Sequence, residues 1–242
     1  MSEVHDPSVA QQTRAERISL LTALPILASA VVSGLVGHGA PIAGVGGLSL
    51  LFTLLALSRH ERPRSLLPTV VTCFRALITC VMSAIGHRFD APWVGLTVLT
   101  VFTLDGIDGY LARRMNATSV LGARIDLETD ALLVVVTCTQ LFLRGLGPWV
   151  MTGALLRYAY VLFVHFFAAH GEVPRLRLFR YAFGISIAGF VSGFFTHGFT
   201  QRLGPLLATS MLSYSFGHAF YWSVYGRTLR MSQSNNTSEP SE

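Results

Sequence analysis

Two pairs of aspartates in this chain are spaced for chemistry. Asp105 and Asp108 stand at i and i+3 in TLDGIDGYLARR, near the end of an apolar run, and Asp126 and Asp130 stand at i and i+4 in DLETDALLVVV, where the next run begins. On a helix either spacing brings the side chains to one face. Gly109 and Ala112 continue the first stripe, so it is narrow enough for something to approach closely. If the two runs are antiparallel neighbours joined through MNATSVLGAR, four carboxylates meet at one depth. At roughly 2.5 to 3.5 kcal/mol per charge at the centre of a membrane span, such a cluster needs counter-charge. Arg113 and Arg124 could supply it as an ion-pair network. Divalent cations are the other solution, because four oxygen donors suit the hard ions Mg²⁺ and Mn²⁺. Glu128 points about 160° away from either entry aspartate at 3.6 residues per turn, which leaves it out of the cluster.

The elements that must hold these residues are membrane-like in composition. The chain has 242 residues, of which 51% are hydrophobic and 13% charged, half the charged share of an ordinary soluble domain. Apolar residues fall in eight blocks of about the length that crosses a hydrocarbon core: 18–36, 41–57, 68–85, 93–111, 126–143, 149–169, 181–195 and 204–225. The expectation is an all-α, polytopic helical bundle. Short connections such as GHGA, RHERPR and RGLGP separate the blocks, and the polar segments 1–14 and 231–242 read as disordered. Arg14 and Arg17 before ISLLTALPILASA resemble a secretory signal, but the hydrophobicity continues to Val36, which favours a retained span.

Every basic residue is an arginine, and their placement sets an orientation. With eight spans and the N-terminus inside, thirteen arginines fall on the cytosolic side, whereas Arg88, Arg144 and Arg202 fall outside. The net charge of +5 then reflects positive-inside sorting and contact with anionic lipid, with no nucleic-acid partner required. Arg113 and Arg114 end the fourth span at the cytosolic face, which puts Asp105 about 12 Å inward at 1.5 Å per residue. Cys73, Cys80 and Cys138 sit in apolar runs without metal-ligand spacing and read as packing residues. The absence of lysine suggests a GC-rich bacterial genome, and with it the inner membrane.

From Asp105 to Asp130 the chain reads DGIDGYLARRMNATSVLGARIDLETD, that is DxxDGxxAR, eight residues, then GxxxDxxxD. This resembles the signature of the CDP-alcohol phosphotransferase family at Asp105, Asp108, Gly109, Ala112, Arg113, Gly122, Asp126 and Asp130. Upstream, PTVVTCFR at 68–75 is similar to the family's PNxxTxxR, with Pro68, Thr72 and Arg75 in place and Thr69 where the family has asparagine. The resemblance implies a six-helix core over 68–226 that follows a cytosolic segment 1–17 and two additional spans with an arginine-rich loop, 18–67. A disordered tail, 227–242, would end the chain.

What the resemblance implies for chemistry is a transfer from a CDP-linked donor, CDP-diacylglycerol above all, to a small alcohol acceptor with release of CMP. Two divalent cations, Mg²⁺ or Mn²⁺, would be held by Asp105, Asp108, Asp126 and Asp130, and Asp130 would also act as general base. Gly109, Ala112, Arg113, Gly122, Thr72 and Arg75 would contact the donor's nucleotide and diphosphate. Arg175, Arg177 and Arg180 in GEVPRLRLFR, with Arg157, would serve an acceptor of the glycerol phosphate or inositol phosphate type, although Arg157 should lie nearer mid-span than the aspartates. Membrane lipids and, by analogy, a second copy of the chain would be its partners. A divalent-cation transporter is the contrasting possibility, but it would space acids along a route across the membrane. Loss of activity in a family member is a third, motivated by Thr69.

Overall fold

The computed structural model describes residues 7–58, 66–114, 120–166 and 177–236, and it is all-helical over them. Each of the eight apolar blocks becomes one helix: α1 (Pro7–Val36), α2 (Ala40–Ser58), α3 (Leu66–Ile85), α4 (Ala91–Arg114), α5 (Val120–Leu141), α6 (Met151–Phe166), α7 (Arg177–Phe195) and α8 (Thr200–Asn236). Helix therefore reaches into both segments read as disordered, from Pro7 at one end and to Asn236 at the other. Extending a helix that is already nucleated adds a hydrogen bond for each residue fixed, and QQTRAER and RTLRMSQ hold good helix formers. Composition alone missed that continuation.

Local chemistry explains several boundaries. Pro92 lies in the first turn of α4, where its missing N–H costs nothing, and the Asp90 carbonyl accepts from Trp93 and Val94 at 3.1 and 3.4 Å. Between α5 and α6 the chain passes through a π-turn, Phe142–Leu146, and a 3-10 turn, Pro148–Val150. Gly145 and Gly147 there take φ of 89° and 92°, the left-handed region that side chains avoid, so RGLGP is a reversal built on glycine.

Helix α5 is the axis of the bundle. Residues 131–141 are all buried, eleven in succession, because α1, α2, α3, α6 and α7 all pack around it. The N-terminal pair is thus part of the bundle's packing: α2 crosses α5 where Gly46 faces Leu132, and Ser83 of α3 donates to the Gly39 carbonyl at 2.8 Å. Away from the aspartates, α3 is pinned to α5 by Gln140, whose amide donates to the Met82 and Ser83 carbonyls at 3.3 Å. Arg144 adds bonds to Gly86 O at 2.8 Å and Phe89 O at 3.1 Å. Those ties set how α3 is rotated against α5.

Helix α3 is amphipathic in the inverted sense. Its inward face carries Thr72, Arg75, Thr79 and Ser83, all buried, while Val70, Phe74, Leu77 and Val81 are exposed. Among the described residues two stretches are by themselves long and apolar enough to cross a membrane, Val70–Arg88 at mean hydropathy 1.6 and Ile125–Leu146 at 1.4. Shorter apolar stretches lie in α1, α2, α4 and α7; the one in α4, Ala91–Ile107, ends as the aspartates begin.

Helices α7 and α8 touch backbone to backbone through glycine. A Cβ on Gly204 would lie 2.6 Å from Gly189 O and collide with Ser192 Oγ, whereas a Cβ on Gly44 would meet open space. Gly204→Ala should therefore lower unfolding stability by about 1 to 3 kcal/mol, the usual cost of overpacking. Gly44→Ala should be neutral or gain up to about 1 kcal/mol from helix propensity. Thermal unfolding of the two purified variants checks the pair.

Candidate functional site

Helices α3, α4 and α5 converge on one guanidinium. Arg75, in the third turn of α3, has a side chain with no exposed surface. Its Nη1 lies 2.7 Å from Asp105 Oδ1 and 2.8 Å from Asp126 Oδ1, and its Nη2 lies 2.8 Å from Asp130 Oδ1. Nε donates to the Val101 carbonyl at 3.2 Å, one turn before Asp105 on the same face of α4. Asp126 and Asp130 reach the same group because their four-residue spacing stacks them on one side of α5. The three aspartates offer carboxylate oxygens that all lie within 4.8 Å of one another, and each remains partly exposed, Asp126 most at 39%.

Charge decides what this arrangement can hold. Among the described residues a single guanidinium faces three carboxylates, a formal surplus of two negative charges. Burying that surplus in a low-dielectric setting is costly unless a further cation joins it. Oxygen-only donors at this spacing on facing helices match the preferences of Mg²⁺ or Mn²⁺ and of no soft metal. The cluster can therefore hold a divalent ion.

The sequence pointed to these three aspartates and missed what gathers them. Among the described residues their counter-ion is Arg75, which the resemblance had assigned to the donor nucleotide. A signal was present: an arginine inside an apolar span demands an acid, and acids within the spans are few. Asp108, Ala112 and Arg113 have helical backbone in α4, as do Gly122 and Arg124 in α5 and Arg177 and Arg180 in α7, but their side chains lie outside the described part of the structure. The same holds for the Thr69 side chain, and Arg175 lies outside the described residues. Gly109 is helical and half-buried one turn beyond Asp105, and Thr72 is buried one turn before Arg75.

The Arg157 side chain reaches the level of the aspartates. Its Nη2 lies 3.3 Å from Glu128 Oε1, level with the turn of α5 between Asp126 and Asp130, so it shares the depth of the aspartates. Glu128 faces away from the three aspartates as expected, yet it is buried and bonds the arginine that borders Asp130 across a cavity of ≈ 470 Å³. It belongs to the site's surroundings through that pair.

The family model for CDP-alcohol phosphatidyltransferase matches residues 65–219. The chain is 32% identical over 81 residues to CDP-diacylglycerol–inositol 3-phosphatidyltransferase 1 of Arabidopsis thaliana, which covers 31% of this chain and 35% of that protein. Over 90 residues it is 31% identical to the CDP-diacylglycerol–glycerol-3-phosphate 3-phosphatidyltransferase of Cereibacter sphaeroides, covering 35% and 41% of the two chains. Over 97 residues it is 34% identical to human ethanolaminephosphotransferase 1, covering 37% and 24%. The chain thus spans well under half the length of the curated relatives it matches. No solved structure matches it.

Removing the guanidinium leaves three carboxylates without their shared partner. Arg75→Met should cost about 3 to 5 kcal/mol, the range for stripping one side of a buried ion pair. Adding Asp126→Asn to that variant should restore part of the loss, because it removes one of the repelling charges. Unfolding midpoints of the single and double variants test the coupling; strictly additive losses would mean that Arg75 and Asp126 do not interact.

Proposed function

The chain belongs to the CDP-alcohol phosphatidyltransferase family, and on that premise we propose that it is a membrane-embedded enzyme that transfers a substituted phosphate group from a CDP-linked donor to an alcohol. CDP-diacylglycerol is the donor put forward first. In the reaction the acceptor oxygen forms a bond to the donor phosphorus, the bond from that phosphorus to the bridging diphosphate oxygen breaks, and CMP leaves. The observation that carries the reading is the convergence of Asp105, Asp126 and Asp130 from adjacent helices, with negative charge in excess over Arg75.

Each residue of the chain has a task in this scheme. Asp105 and Asp126, with Asp108 from the same stripe of α4, would hold two divalent cations, Mg²⁺ or Mn²⁺. When bound, such ions neutralise diphosphate charge and stabilise attacking and leaving oxygens. Asp130 borders both the carboxylate cluster and the ≈ 470 Å³ cavity, which suits it to take the acceptor's proton. Arg75 keeps the carboxylates of α4 and α5 aimed at one point, a positioning role whatever contact it makes with the donor. Gly109 offers no side chain one turn from Asp105, where a nucleotide would lie against the helix.

Two observations support an amphipathic donor and a membrane setting. The inverted face of α3, polar inside and apolar outside, is the pattern of a helix solvated by lipid. Beyond Arg75, between α3 and α4, lies an apolar cleft of ≈ 600 Å³ lined by Ile78, Val81, Trp93, Leu96 and neighbouring residues. A substrate with a charged head and acyl chains fits that sequence of environments. The arginine bias is the support for a site on the cytosolic side, in the inner membrane if the source is bacterial.

The test is CMP release by the purified chain given CDP-diacylglycerol, Mg²⁺ or Mn²⁺ and a panel of alcohols. Chelation should abolish CMP release and re-addition of the ion should restore it. Asp130→Asn should lower kcat about 10²- to 10⁴-fold, the usual contribution of a general base, with little change in donor KM. Wild-type turnover in the Asp130→Asn variant would remove Asp130 from catalysis.

A further inference from the structure

The apolar cleft between α3 and α4 ends in a setting that the proposed reaction does not use. Its wall runs from Ile78 and Thr100, near mid-span, to Ile85, Phe89 and Trp93 at the turn that joins the two helices. At 1.5 Å per residue that is about 10 Å, most of one leaflet's share of a hydrocarbon core about 30 Å thick. The two hydroxyls of the wall, on Thr97 and Thr100, donate to the Trp93 and Leu96 carbonyls of their own helix at 2.9 and 2.8 Å. Within the cleft nothing further asks for a polar partner, and the Trp93 indole stands at its mouth, the place of an interfacial aromatic.

The mouth is basic. The four connections at this end of the bundle, 37–39, 86–90, 142–150 and 196–199, carry Arg88, Arg144 and three histidines against one acid, Asp90. Arg144 lies directly behind the end wall of the cleft, where it donates to Gly86 O at 2.8 Å and Phe89 O at 3.1 Å and otherwise to Gln140. Those acceptors are all neutral, so dipoles solvate its charge without cancelling it. Arg88 is exposed in the same turn, and among the described residues neither arginine pairs with a carboxylate. Beside it the rings of His87 and His38 lie with centroids 6.1 Å apart. His38 Nδ1 accepts the Ala40 N–H at 3.3 Å, which leaves the hydrogen of the neutral ring on Nε2. That ring therefore offers a donor to an anion and no lone pair to a metal.

We propose that the cleft is a site for an anionic phospholipid of the leaflet farther from the aspartates, with an acyl chain between α3 and α4 and the phosphate at the His87–Arg88 turn. This lipid is no substrate. Ile85, where the turn begins, stands about 15 Å along α3 from Arg75 at 1.5 Å per residue, so a phosphate bound there does not meet the carboxylate cluster. Charge complementarity selects an anionic head over a zwitterionic one, because a zwitterion brings its own cation to a turn that already holds uncancelled arginines. The chain of such a lipid lies against both α3, which carries Arg75, and α4, which carries Asp105. The site rests on the membrane setting of the transferase reading and not on its chemistry.

Native mass spectrometry of the purified full chain, given equal amounts of dioleoylphosphatidylglycerol and dioleoylphosphatidylcholine, tests the site. Wild type should retain phosphatidylglycerol in preference, and Arg88→Glu should carry at least one phosphatidylglycerol fewer per chain with phosphatidylcholine unchanged. Arg88→Gln is the second variant should the first fail to fold. Ile85→Trp, which fills the mouth, should lose the same lipid, and an excess of inorganic phosphate should not displace it. An unchanged phosphatidylglycerol count in a folded Arg88 variant would overturn the proposal. So would displacement by inorganic phosphate, which makes this a free-anion site, or one-for-one displacement by CDP-diacylglycerol, which gives the cleft to the donor. A wild-type mass of two chains that falls to one in Ile85→Trp would give it to a second copy. CMP release by the same samples separates this from the transferase reading, and Arg88→Glu should keep that rate within twofold in neutral detergent. Selective retention by a wild type that makes no CMP supports the lipid site and counts against transfer, whereas CMP release without retention rejects the lipid site alone.

Discussion

The structure turns on a buried guanidinium with too little charge for its surroundings. Arg75 is fully enclosed and bonds Asp105, Asp126 and Asp130 together with a backbone carbonyl. A cation so placed is expensive to desolvate, and its attraction to three carboxylates offsets that cost only because the geometry is short and forked. Nothing in this balance favours stability over an apolar core of similar shape. What it secures is position: carboxylates from two helices are drawn to one point and, among the described residues, outnumber their counter-ion, an arrangement that could hold a divalent ion.

The rest of the bundle makes that position possible. Helix α5 is enclosed over 131–141, so it cannot rotate to relieve crowding among its acids. Gln140 ties α3 to α5 at the far end, about ten residues or 15 Å along the helix from Asp130 at 1.5 Å per residue, and Arg144 joins the turns that follow the two helices. With one end fixed by those bonds and the other by the Arg75 fork, the relative rotation of the two helices is determined twice over. The N-terminal helices contribute by closing the remaining side of α5, with Gly46 closely approaching Leu132 and Gly39 closely approaching Ser83 of α3.

A second ion pair, Arg157 with Glu128, lies beside the charged cluster, and Arg157 lines the largely apolar chamber that Asp130 also borders. Asp130 stands where the two compartments meet.

Much of this was legible in the chain, and the limits have a physical cause. Eight apolar blocks foretold eight helices, and the i, i+3 and i, i+4 aspartates foretold two acidic faces, because helical periodicity is a property of neighbours in sequence. The family signature between Asp105 and Asp130 is likewise local. Arg75 was noticed but assigned to the donor, and its real partners stand 30 to 55 residues further on, where only packing brings them near. Glu128 was correctly read as facing away from the three aspartates, yet periodicity says nothing about what waits on the other side, and there α6 presents Arg157. Sequence determined which residues share a helix face; tertiary structure decided which faces meet, since rotation and register between helices depend on side-chain packing, turns and buried bonds that link distant parts of the chain.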